Sequence, residues 1–408
     1  VVNVFAHSTS QYDCKALSDL DYLEMGIMRC LSESTTGRDF VQRHGDHQRL
    51  DIDPDLFFKS LKSKRRLKNI SSVNDLLRES VDKAVKDPYA DIPELDKFEV
   101  FSGDGHFHDG AVHDARVNTS KGGRRKPATG HFFMIDQRSH YMLHLCSAHD
   151  PEEVNSKKMH KMHDMKALKA CSFAQLRGHA PKGTKVIQVW HKAGTDIKFW
   201  HKAKLQSGLY FISREKESMI LIVDKELEFD RNDPRNKGVI SDEKTEPSSL
   251  EVPIRRIVYI DPETGKTFKF ITTEMTLPPG IICLLYKQRW DIEKVFDEYK
   301  NKMDETKSWG SGEESKTSHA LFLCITHNLL VIMETMLVEL GIENTKEKDR
   351  RGCRRENAIK NGACFVATYV QRFTVRSLKF IRWLRNHCYR QLPWDDAKAR
   401  LIEVYAKM

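Results

Sequence analysis

Residues 184–190, TKVIQVW, form a nearly continuous apolar run. A strand with one wet face alternates polar and apolar residues; a short run without alternation fits a strand covered on both faces, the central strand of an α/β sheet. Working outward, 97–103 (KFEVFSG), 130–136 (GHFFMID) and 140–146 (HYMLHLC) are further strand candidates. Residues 136–139 (DQRS) make a tight connection between the last two. A helix is expected over about 155–177, where Met159, Met162, Met165 and Leu168 recur at helical spacing as core positions. A short helix near 195–206 and a strand at 208–214 (GLYFISR) complete the series. The order β-β-β-α-β-α-β predicts an α/β domain built on one mixed sheet.

The flanks differ in texture. Residues 1 to about 90 read as helical and end in the charged, proline-containing VKDPYADIPELDK. Residues 215–285 carry SMILIVD, LEVPIRRIVYID and KTFKFITTE between turn-rich segments, which predicts a β-rich insertion. Helical texture resumes near 285 and runs to the C-terminus. The expected division is therefore a helical region 1–90, a core 91–330 with its insertion at about 215–285, and a helical basic region 331–408. The most hydrophobic segment, Ala320–Leu340, is interrupted by Thr326, His327, Asn328, Glu334, Thr335 and Glu339, and reads as a buried helix, not a membrane span.

The chain carries a formal charge of +9, with basic clusters at 62–68, 121–126, 346–355 and 382–390. Clustered charge of one sign fits a polyanion partner, and solubility alone accounts for it equally well. Nine cysteines without a C-x-x-C pair argue against a disulfide framework or a cysteine-rich zinc site and fit a reducing cytosol. The first residues lack the basic and apolar regions of a signal peptide. The chain begins without Met, as an incomplete reading frame would.

Three places carry candidate chemistry. In FSGDGHFHDGAVHD (101–114), Asp104 follows a strand between Gly103 and Gly105. A carboxylate there suits a hard divalent cation, but taken alone it is more simply read as ordinary turn chemistry. His106, His108 and His113 lie nearby at a spacing that fits no common zinc pattern. At the end of the 184–190 strand stand His191 and Asp196, where ligands gather in α/β sheets. The third place is LLYKQRWDIEKVFDEYK (284–300). Tyr286, Arg289, Glu293 and Lys300 are separated by steps that return to one side of a helix, with Trp290, Ile292, Val295, Phe296 and Tyr299 to bury the other. An ordinary amphipathic helix with an Arg289–Glu293 pair is the competing explanation.

Asp104, the strand-end site at 191–196 and Y-x₂-R-x₃-E-x₆-K over 286–300 together resemble the bacterial insertion-sequence DDE transposases of the cut-and-paste group with the YREK signature. HDMKALK (163–169) and GLYFISREKE (208–217) share that look, and the likeness runs from about residue 97 to 330. The resemblance implies an RNase H-like, retroviral-integrase-type core and metal-dependent cleavage and strand transfer at element ends. It implies Asp104 and Glu293 as the first and third metal carboxylates, and Tyr286, Arg289 and Lys300 as contacts to the DNA phosphates. It further implies Mg²⁺, or Mn²⁺, as cofactor, and double-stranded DNA, both terminal inverted repeats and target, as partner. A dimer is expected in the DNA complex, and a bacterial cytoplasmic location. The N-terminal helical region becomes a candidate for DNA-end binding, and the basic C-terminal segments for end recognition or protein contacts.

The resemblance breaks at one position. Where the second Asp is expected, directly after the strand, this chain has His191-Lys192; Asp196 matches an acidic residue about one turn later. Three readings stay open: a decayed copy, Asp196 as the substitute ligand, or His191 as a ligand with altered metal preference. The rival functions are another RNase H-like nuclease, and a domesticated DNA-binding protein without catalysis.

Overall fold

The computed structural model describes residues 16–33, 36–48, 52–118, 123–148, 164–248, 250–262, 264–303, 307–342, 353, 356–357, 365–366, 376–390 and 392–406. Lys121 and Gly122, residues 155–163 of the expected methionine-bearing helix, and nearly all of the 346–355 basic cluster lie outside them.

The core is a mixed sheet. Strands β1 (Phe98–His108), β4 (Thr129–Asp136) and β5 (Met142–Ala148) form an antiparallel meander, and a small ribbon, β2 (Val117–Asn118) with β3 (Arg124–Arg125), interrupts its first connection. Strand β6 (Lys185–Trp190) runs parallel to β1, and β7 (Leu209–Arg214) parallel to β6. Four further strands, β8 (Leu221–Glu226), β9 (Val239–Pro247), β10 (Ile254–Ile260) and β11 (Thr267–Thr272), extend the same sheet by antiparallel pairing, giving the order β5-β4-β1-β6-β7-β11-β10-β9-β8. This is the expected RNase H-like mixed sheet, and the β-rich segment joins it edge-on.

The apolar run reads as predicted. In β6, Ile187 and Val189 face α8 (Pro279–Gln288), packing with Ile281, Leu284 and Leu285. Val186 and Trp190 face the opposite layer, with Leu168 of α5 (Asp164–Ala170) and Trp200 of α7 (Ile197–Ser207). A short helix α6 (Phe173–Leu176) follows α5 after a break at Cys171–Ser172, so the described part of the expected 155–177 helix is two pieces. Ser172 and Gln175 close a reciprocal capping box there, which starts a new helix and ends the old one.

The flanking helices share one apolar core. It joins α1 (Asp19–Leu31), α2 (Gly37–Gln48), α3 (Pro54–Ser60) and α4 (Lys64–Ala84) to α9 (Trp290–Lys302), α10 (Glu313–Glu339), α11 (Leu378–Arg390) and α12 (Trp394–Ala406). Helix α10 is long and apolar enough to cross a membrane, yet it packs into this core. Asn328 on α10 accepts from the Met142 amide at 2.8 Å and donates to the Met142 carbonyl at 3.0 Å, fixing the start of β5. Arg376, with 1% of its side chain exposed, donates to Glu298 of α9 and to Glu334 of α10, each at 2.7 Å.

Besides the short ribbon β2–β3, one strand of the main sheet went unanticipated. Within β9, Val239, Asp242 and Thr245 are buried, Ile240 is exposed and the rest are half-buried, so the strand shows no period-two alternation, and the charges in SDEKTE mask its buried positions. Buried Asp242 takes both forks of Arg255 on β10 at 2.8 and 2.6 Å, a charge-assisted pair that registers the two strands.

At the heart of the sheet, Gly103 lies opposite Trp190, and a Cβ on Gly103 would stand 2.2 Å from the indole. The indole is fixed by donating to Gln188 at 2.9 Å. Gly103→Ala should therefore overpack the sheet and cost about 1–3 kcal/mol of unfolding free energy. Urea denaturation measures this, and an unchanged midpoint would contradict the close packing.

Candidate active site

The sheet register builds the first half of the site. The parallel pairing of β1 with β6 ends at Gly103 opposite Trp190, so Asp104 and His191 emerge side by side, one residue further along each strand. Asp104 is expected at a strand end. It instead lies inside β1, which continues to His108 because β4 goes on pairing with it after β6 has stopped, with Asp104 opposite Phe133.

The second half comes from the 284–300 segment. One helix is expected there; the structure has two, α8 and α9, meeting at Arg289. The Arg289 amide donates to the Tyr286 carbonyl at 3.2 Å, and the Ile292 amide to the Arg289 carbonyl at 3.2 Å. These i→i+3 bonds tighten the chain at the junction. Ile292, Val295, Phe296 and Tyr299 are buried as expected, whereas Trp290, the first residue after the break, is 56% exposed.

Arg289 is the hub. Its side chain is 5% exposed, and it donates to Asp104 Oδ2 at 2.8 Å and to Glu293 Oε1 at 2.6 Å. Burial alone would lower its pKa, but the charges of Asp104 and Glu293 and the Tyr286 hydroxyl outweigh that and hold it above the ordinary arginine value. Tyr286 is itself buried against Phe270, with ring centroids 4.8 Å apart, and burial raises its hydroxyl pKa. Lys300 is exposed on α9, two turns beyond Glu293.

His191 and Asp196 separate cleanly. Burial, then Arg289, lowers the His191 pKa, against the opposing pull of Asp104 and Glu293, so the imidazole shares the field of the carboxylate pair. Asp196 faces elsewhere. It caps α7 by accepting from the Phe199 amide at 2.9 Å, and it pairs with Lys169 at 2.5 Å. Burial would raise its pKa, but the Lys169 and Phe199 hydrogen bonds bring it below the ordinary value. The structure thus brings together Asp104, Arg289, Glu293, Tyr286 and His191, and assigns Asp196 a helix cap.

Among the described residues no group of three His, Cys, Asp or Glu side chains is arranged to hold a metal ion. Asp104 and Glu293 do already share one buried positive charge. Their hard oxygen donors fit a divalent cation once the guanidinium yields, and the neighbouring imidazole suits Mn²⁺ better than Mg²⁺.

A family model described as the transposase DDE domain matches residues 104–329, more than half of the chain. The match starts at Asp104 and spans His191, Asp196 and the whole 286–300 row. No curated protein matches the chain.

Beside the site lies a feature that sequence spacing missed. His106 and His108 are buried, and their rings pack 5.0 Å apart. His108 also packs against His131 of β4 at 4.8 Å and against His319 of α10 at 4.7 Å, and His319 stacks on Trp309 at 4.2 Å. His113 is exposed and takes no part. Alternation along β1 carries His106 and His108 to one face, but nothing local announces His319. Burial pushes His106 down to about 3, with Lys300 adding to it, and it pushes His108 and His319 well below the ordinary histidine value.

These rings are neutral in the folded protein and titrate near 6.5 once unfolded, so the unfolded chain binds more protons at acid pH. The protonation-linked part of their burial cost vanishes above about pH 6.5, and each ring removes up to about 1.4 kcal/mol of stability per pH unit as the pH falls below it. His319→Phe, which keeps a ring on Trp309, should flatten that slope between pH 6.5 and 5 in urea denaturation series. A slope equal to that of the unaltered protein would show that His319 charges freely.

Proposed function

The chain belongs to the DDE-domain transposase family, and we propose that it cleaves DNA at the ends of a mobile element and transfers the freed strand to target DNA. The observation that carries the reading is the sharing of one buried guanidinium by Asp104 and Glu293, from opposite parts of the matched region. The row Tyr286, Arg289, Glu293 and Lys300 supports the YREK group within the family.

Asp104 and Glu293 would hold the divalent cation, with the residue at 191 beside them. When bound, such an ion activates a water or 3′-hydroxyl and stabilises the leaving oxygen in phosphoryl transfer. The chain's own residues orient the DNA. Arg289, released from the carboxylates, offers a planar fork that grips a phosphate by two bonds. Tyr286 steadies that guanidinium from its buried seat, and Lys300 gives an exposed point charge further along α9. Joining two ends requires two such sites, so the DNA complex contains at least two copies.

His191 favours a second reading, a transposase-derived protein that binds DNA without cutting it. Imidazole supplies no negative charge where the family pattern has a carboxylate. Asp196 is a weaker substitute than His191, since it is committed to Lys169 and the cap of α7.

Cleavage of a duplex bearing the inverted repeat that flanks the gene separates these readings. The unaltered chain should cut faster in Mn²⁺ than in Mg²⁺, and His191→Asp should raise the Mg²⁺ rate by about 10–100-fold, the range typical of groups that tune a metal site. Glu293→Gln should abolish cutting in both metals, and Asp196→Ala should leave it nearly intact. Loss of cutting in Asp196→Ala with no gain in His191→Asp would move the second ligand to Asp196. Binding without cutting, restored by His191→Asp, would establish the second reading.

A further inference from the structure

Helices α11 and α12 follow one another within four residues and pack together. On α11 the apolar face, Phe380, Ile381, Trp383 and Leu384, is buried in the helical core. The opposite face carries Lys379, Arg382, Asn386 and Arg390 at steps of three and four, all exposed. Arg400 and Val404, one turn apart on α12, complete the rim of a pocket of about 350 Å³ between the helices.

The pocket has two chemistries. Its wall is apolar, made by Trp383, Leu392 and Val404. The indole is locked in place, donating to the Ala397 carbonyl at 2.8 Å, and the His387 ring lies parallel to it at 6.0 Å. His387 Nδ1 is buried without a hydrogen-bond partner, and burial lowers the ring's pKa. Among the described residues that line it, the rim holds four cations and no carboxylate. Among the described residues Lys379, Arg390 and Arg400 form no ion pair, and Arg382 reaches only Glu33, at 3.9 Å. Neighbouring Arg385, by contrast, is spent on structure, bonded to the Leu31 carbonyl and to Glu33.

Cations laid against the outside of a duplex need no apolar cavity between them. A cavity of this size with an aromatic wall suits one planar ring, and cations around its mouth suit the phosphates on either side of that ring. An unpaired nucleotide of a DNA strand has both. We propose that this pocket is a single-strand DNA site, which takes one unstacked base on its apolar wall and the flanking phosphates on the four rim cations. The His387 nitrogen is then available to the edge of the base. That the polyanion is DNA rests on the transposase reading; the site itself is separate from Asp104, Arg289 and Glu293, and would serve strands opened or freed during the reaction.

The test uses the full chain and fluorescence anisotropy with a labelled oligothymidine and a random-sequence duplex of equal length, over a range of salt concentrations. Arg382→Gln/Arg400→Gln should weaken single-strand binding by about tenfold or more and lower the salt slope by about 1.4, the value for two phosphates at ~0.7 each. Val404→Trp keeps every charge but fills the pocket. It should weaken the single strand at least about fivefold, the loss of one base stack, and leave the duplex unaffected. Equal losses for both DNA forms in Val404→Trp, or no loss in either variant, would overturn the proposal. So would displacement of the oligonucleotide by polyglutamate as effectively as by unlabelled oligothymidine, which would point to an acidic protein partner. If the unaltered chain bound neither DNA, the transposase reading would fail with it. Normal duplex binding with unaltered single-strand binding in both variants would sink the pocket alone.

Discussion

The parallel run of β1 beside β6, stopping at Gly103 opposite Trp190, is the constraint from which the site follows. Because the two strands run the same way, their chains leave the shared ladder together, and the next residues, Asp104 and His191, become neighbours without any loop having to bring them there. The indole of Trp190 covers the glycine so closely that a side chain at 103 would have to push it aside. The two strands then part. Strand β6 turns away into the Asp196-capped helix, and β1 continues along β4. A rigid sheet thus sets the spacing at the site, which costs less reorganisation than a constellation held by loops.

The third element arrives from far along the chain, and Arg289 is what holds it. Helix α8 is buried against the sheet, so its end is fixed, and the tightened turn at 289 aims the guanidinium back at β1 while α9 carries Glu293 onward. A guanidinium this buried is costly unless it is paired, and here it bonds two carboxylates. Removing either one would leave a buried charge short of a partner. The pairing explains why a row that looked like a continuous helical stripe is split: Tyr286 faces inward to support Arg289, and only Lys300 at the far end is exposed.

How much of this could be read from the residues depends on how local the cause was. Strand β6 was legible because both faces are covered, and burial on both faces leaves no polar alternation. The Arg289–Glu293 pair was legible because Arg289 keeps a helical backbone at the junction of α8 and α9, so the i,i+4 spacing survives the break. Strand β9 was hidden because Asp242 is buried by an arginine thirteen residues away, so a charged residue occupied a core position. The extension of β1 past Asp104 depended on β4, and the histidine cluster depended on α10; neither partner is near in sequence. Asp196 stood where a ligand would by position alone; it caps α7 through the Phe199 amide, and Lys169, on a different helix, engages its other oxygen.

The histidine at 191 sets the charge balance around Asp104, Arg289 and Glu293. With an imidazole kept neutral by its surroundings, two carboxylates face one guanidinium, leaving a single negative charge. A carboxylate at 191 would put three against one. Such a cluster is unstable without further positive charge, and it is relieved by divalent ions. The present arrangement keeps one net negative charge with Arg289 bonded to both carboxylates. A neutral side chain at 191 thus leaves the two carboxylates with less uncompensated charge than a carboxylate there would.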